Sequence, residues 1–207
     1  MPHTFAPGRD VVVETEVKRS RFLAALRRVE STEAALAFVE DQRRLYPDAR
    51  HHCWAFVVGD EQTTRAERSS DDGEPGGTAG IPMLQVLHHR DLVNVAVVVT
   101  RWFGGIKLGA GGLVRAYSGA VTAALDSVRP VARVRREMFE LEVDHADAGR
   151  VEAELRQRGV SVLGVSYGDR AVLTVATADV ESLTATVASI TSGSGDLTPT
   201  GHQWVDA

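Results

Sequence analysis

The chain has 207 residues, 43% hydrophobic and 25% charged, with a formal net charge of −5. That length is large for one small domain and comfortable for two, and the mixed charges are those of an ordinary globular protein. No apolar run approaches the length needed to cross a bilayer, the N-terminal residues lack a charged-then-apolar secretion pattern, and Cys53 is the only cysteine, so a disulfide framework is excluded and the cytoplasm is the expected location.

In chain order, residues 11–17 alternate well enough for a strand and residues 21–26 for a second. Ser31 can cap a helix running to about Leu45, with Pro47 beyond its end. Residues 53–58 form a third strand, and residues 63–67 pair with it after the turn at Gly59 and Asp60. Residues 69–80 read as a polar, glycine-rich loop, and Pro82 suits the first position of a short helix. The β-branched run 95–100 is a buried strand, and residues 113–125 are a helix rich in small side chains. Pro130 marks the next boundary. Beyond it, strands at 138–144, 160–167, 170–177 and 197–205 alternate with helices at 146–158 and 179–191. Strand-helix-strand-strand-helix-strand is the ferredoxin-like arrangement. The expected fold is therefore α+β in two domains, residues 1–136 and 137–207.

Charge divides along the same line. Residues 1–135 hold 18 Lys and Arg against 16 Asp and Glu, whereas residues 136–207 hold 5 against 12. An acidic C-terminal part repels phosphate backbones, so any nucleic-acid contact is expected on the N-terminal part.

Between the strand ending at Thr100 and the following helix lie Arg101, Gly104, Gly105, Lys107, Gly109, Gly111 and Gly112, with Arg115 shortly after. Glycine is costly to order, so this density implies tight turns or a backbone pressed close to something. A glycine-rich loop opening a helix presents N–H groups at the positive end of the helix dipole, which suits an anion. The spacing is neither that of a Walker loop nor that of a dinucleotide-binding loop. Small residues at Ala116, Gly119, Ala120, Ala123 and Ala124 equally suit a helix packed closely on a sheet, with the glycines building only the corner.

The run Gly104-Gly105-Ile106-Lys107-Leu108-Gly109-Ala110-Gly111-Gly112-Leu113-Val114-Arg115-Ala116-Tyr117-Ser118-Gly119 resembles the signature of the YigZ/IMPACT family. Three further blocks match in order: Ser20-Arg21-Phe22, residues 47–53 and residues 70–84. The resemblance implies an N-terminal domain like the second domain of ribosomal small-subunit protein five, with helices on one face of a mixed sheet. It also implies a C-terminal domain similar to the last domain of elongation factor G. The eukaryotic relatives act in translational control under starvation through an additional N-terminal domain, which this chain is expected to lack.

Other groups could carry chemistry. Asp71, Asp72 and Glu74 could hold Mg²⁺ or Ca²⁺, but the spacing is not an EF-hand; capping of the next helix or pairing with arginines is the favoured role. His51, His52 and Cys53 lack the partners a zinc site or a thiol nucleophile needs, although either histidine could contact RNA beside Arg50. Trp102, Phe103 and Tyr117 could stack on bases, with at least one of them in the core. No catalytic residue, metal or cofactor is expected. The expected function is a non-enzymatic protein that binds RNA, the ribosome or a translation-related protein, and no membrane. Arg50, His52, Arg101, Lys107, Arg115 and the loop glycines would bind phosphate, with Asp71, Asp72 and Glu74 in support. A nucleotide- and Mg²⁺-binding enzyme using the same loop, or a protein-interaction module, are the alternatives.

Overall fold

A computed structural model describes residues 1–8 and 10–207, which divide into two compact units, Met1–Arg133 and Val134–Ala207. The first unit is built on a five-stranded sheet in the order β2-β3-β6-β4-β5, with β2 Val11–Val17, β3 Ser20–Arg28, β4 His51–Val58, β5 Ala66–Ser70 and β6 Val95–Trp102. Every neighbouring pair in it is antiparallel. The mixed sheet implied by the family resemblance is therefore replaced by an antiparallel one. The hairpin between β2 and β3 turns on Lys18 and Arg19, both at positive φ, as a two-residue turn matched to strand twist requires.

The three central strands are apolar on both faces, so both faces must be covered. On one face Phe22, Ala24, Val97, Val99, Cys53 and Ala55 pack against Met83, Leu87, Leu113, Tyr117 and Val121 of helices α2 (Gly80–His89) and α3 (Ala110–Asp126). On the other, Ala25, Phe56, Ala96 and Val98 pack against Ala35, Phe38 and Val39 of α1 (Thr32–Leu45). Helices thus lie on both faces rather than on one. Helix α1 starts where Ser31 accepts a hydrogen bond from the Ala34 amide at 3.1 Å, and it buries residues 35, 38, 39 and 42, one stripe of a 3.6-residue repeat.

Strand β5 begins three residues later than residues 63–67 predict, and Pro82 is the third residue of α2 rather than the first. A short strand β1, His3–Phe5, lies against residues 130–132 and has no periodicity long enough to be read from sequence.

The second unit takes the remainder of β7 (Pro130–Val143) with α4 (His145–Gln157), β8 (Ser161–Tyr167), β9 (Ala171–Thr177), α5 (Val180–Ile190) and β10 (Leu197–Asp206). Its strands lie in the order β10-β7-β9-β8, the split βαβ arrangement. Leu141, Leu173 and Val175 of the sheet meet Val151, Leu155, Leu183 and Val187 of the helices in its core. No helix among the described residues is long and apolar enough to cross a membrane.

Candidate anion-binding cleft

The end of β6, the start of β4 and the first turn of α3 meet around a cleft of about 350 Å³. Arg50, His51, Glu74, Pro75, Arg101, Phe103, Lys107, Leu108 and Leu113 line it, with the backbone at Gly109 and Ala110. Strand register explains the histidine. His51 lies opposite Arg101, so the two share a face, while His52 lies opposite Thr100 and points to the other face, toward α1. There His52 shares a 3.1 Å hydrogen bond between its Nε2 and the Tyr46 carbonyl, and burial draws its pKa below the usual imidazole value. His52 is therefore a packing residue and does not reach the cleft.

Arg101 forms the cleft floor, with its side chain 7% exposed. Its Nη1 donates to Glu74 Oε1 at 2.5 Å, and the same oxygen accepts the Tyr117 hydroxyl at 2.7 Å. Glu74 is the guanidinium's single hydrogen-bond partner among the described residues, and the buried Nε has none. Its guanidinium carbon sits 5.4 Å from the Phe22 ring centroid and 5.8 Å from that of Phe103. Lys107 and Arg50 are exposed and form no ion pair among the described residues. Three cations thus converge on a space that contains one carboxylate.

The loop that carries Lys107 is shaped by two glycines. A Cβ at Gly104 would lie 2.0 Å from the Arg19 carbonyl oxygen, so this glycine is what lets the loop press onto the β2–β3 turn. Gly109, at φ +71°, is the N-cap of α3. It offers no capping side chain, and the first amide committed to the helix is that of Leu113, which donates to the Gly109 carbonyl at 2.9 Å. The amides of Ala110, Gly111 and Gly112 are left at the positive end of the helix.

Not every expected residue gathers here. Gly104, Gly105, Gly111 and Gly112 build the loop and the first helical turn without lining the cleft. Arg115 is exposed on α3, off the stripe formed by Leu113, Ala116, Tyr117 and Ala120, and does not line it either. The three acidic residues diverge. Asp71 accepts hydrogen bonds from the amides of Gly77, Ala79 and Gly80 at 2.8–2.9 Å and so caps α2. Burial raises its pKa, but the three amides more than offset this and hold it below the usual carboxylate value. Asp72 binds Arg43 and the His52 amide, each at 2.7 Å. Only Glu74 reaches the cleft, and among the described residues no three His, Cys, Asp or Glu side chains are placed to share a metal ion.

Of the aromatics, Tyr117 is fully buried and meets Phe22 edge to face at 5.2 Å. Trp102 donates to Asp48 at 2.9 Å under the Arg21 guanidinium. Phe103, 49% exposed, remains open at the cleft rim. Leu108 and Leu113 belong to the lining without an expected site role, and of the two histidines that could contact RNA beside Arg50 it is His51 that lines the cleft. Strand parity relative to Arg101 is the signal that identifies His51.

The Impact N-terminal domain family matches residues 18–125, and a domain of unknown function, DUF1949, matches residues 141–194. The chain is 39% identical to the IMPACT family member YigZ of Escherichia coli, over 92% of this chain and 95% of that one. It is 40% identical to an IMPACT family member of Haemophilus influenzae, over 81% of each chain. A crystal structure of a hypothetical protein, 38% identical, covers 96% of this chain and 97% of its own, with a TM-score of 0.69.

Proposed function

Because the chain belongs to the IMPACT family, in its two-domain YigZ-like form, we propose that it is a non-enzymatic RNA- or ribosome-associated protein of translation that grips phosphate groups in this cleft. The translational part follows from the family resemblance. The phosphate part is carried by one observation: among the described residues, Arg101 at the cleft floor has Glu74 as its one hydrogen-bond partner, and Lys107 and Arg50 beside it form no ion pair. The Arg101 Nε is sealed from the cleft, but the rest of the guanidinium edge lines it, and charge together with the N–H groups not committed to Glu74 draws an entering anion there. The uncommitted amide of Ala110, at the cleft and at the positive end of α3, adds a donor.

Titration of a structured RNA, followed by fluorescence anisotropy over a salt series, tests the proposal. Saturable binding whose logarithmic salt slope falls by about one in Lys107→Ala is expected, since each phosphate neutralised releases about one counterion. Binding with an unchanged slope, or no binding at low salt, contradicts it.

A further inference from the structure

We infer that the cleft receives a terminal phosphate monoester together with the base attached to it: a nucleoside monophosphate unit, free or at the end of an RNA strand. The inference rests on the phosphate-binding function proposed above and narrows it. Its first support is depth. Arg101 is more than nine-tenths buried and aimed into the cleft, so an anion that meets it must enter to the floor. An internal phosphodiester carries chain on both sides, so a chain end reaches such a buried group with less obstruction.

Charge points the same way. Among the described residues that line the cleft, Arg50, Arg101 and Lys107 are set against one carboxylate, Glu74. Near neutral pH a monoester carries about −1.5 to −2 charges, against one for an internal diester, and three acceptor oxygens on the phosphorus. The amide of Ala110, which lines the cleft at the first turn of α3, supplies a further donor for an oxygen that the cations leave free. Apart from His51, the rest of the cleft wall is apolar. Phe103 stands half exposed at the rim, and Pro75, Leu108 and Leu113 line the wall. An aromatic ring beside a cation is a stacking platform for a base and tolerates any of the four. At about 350 Å³ the space suits one small ligand rather than a stretch of duplex.

The test uses the full chain and one single-stranded RNA sequence prepared with a 5′-phosphate, a 3′-phosphate or hydroxyls at both ends. Free nucleoside monophosphates, nucleosides and inorganic phosphate serve as competitors. A phosphorylated end should bind about tenfold tighter than the hydroxyl form, and a nucleoside monophosphate should compete where the nucleoside does not. Lys107→Ala should abolish the preference for the phosphorylated end. Phe103→Ala should weaken nucleoside monophosphates without changing inorganic phosphate. The two phosphorylated strands identify which end is taken. Mononucleotide binding without RNA binding supports the inference and overturns the RNA function. Equal binding of phosphorylated and hydroxyl RNA, with no competition by monophosphates, overturns the inference and leaves the RNA function standing.

Discussion

Asp71 and Glu74 stand three residues apart and act through opposite physics. Asp71 satisfies three amides at the start of α2, so Asp71→Ala should lower stability in urea by about 1–2 kcal/mol at neutral pH. Because the folded carboxyl has a lowered pKa, that contribution is complete above the ordinary carboxylate range. It is lost as the pH falls below about 4 toward the folded value, so the gap between wild type and variant should close in acid. A gap that stays constant with pH would contradict the capping role. Glu74 instead balances a buried cation. Glu74→Ala strands Arg101 and should cost about 3–5 kcal/mol, whereas a loss below about 1 kcal/mol would show that Arg101 escapes to solvent. Cys53 is fully buried, with its thiol pKa pushed well up by burial, so it should react with a thiol reagent only after unfolding. At this scale the sequence identified residue types but not directions. Asp71, Asp72 and Glu74 form one acidic cluster on paper, and the chain sends them to a helix cap, to Arg43 and to Arg101. His51 and His52 are neighbours in sequence and lie on opposite faces of the sheet.

Among the elements, the strand–loop–helix from β6 to α3 was the most legible. The β-branched run has one period, the small-residue helix has another, and the glycines mark the change between them. What the glycines do differs by position. Gly104 permits a close approach and Gly105 a positive φ of +86° in open space. Gly105→Ala should therefore cost about 1–2 kcal/mol in backbone strain. Gly104→Ala must displace the β2–β3 turn and should cost more. Equal losses in thermal and urea unfolding would contradict the packing of the loop against Arg19. Helix α2 starts two residues before Pro82 because Asp71, one of the acidic residues expected to cap it, accepts from the amides of Ala79 and Gly80, a position that the Pro82 signal does not mark. Arg115 follows the loop closely in sequence, but α3 keeps it out of the cleft lining. Leu113, Ala116, Tyr117 and Ala120 define the inward stripe of α3 and put Arg115 off it.

On the scale of the whole molecule, the two-domain α+β organisation followed from the break at Pro130 and from the regular alternation beyond it. Sheet direction and helix placement in the first unit did not, since an apolar strand buried on both faces reads alike in parallel and antiparallel sheets. The acidic excess of residues 136–207, 12 carboxylates against 5 cations, leaves the first unit as the one suited to a phosphate ligand. The measurement that tests this most directly is hydrogen–deuterium exchange of the full chain with and without saturating RNA. RNA held in the cleft should add protection in residues 101–113 and at residues 50 and 51 and leave residues 134–207 unchanged. Protection confined to residues 134–207, with the loop and the start of α3 exchanging as before, would contradict it.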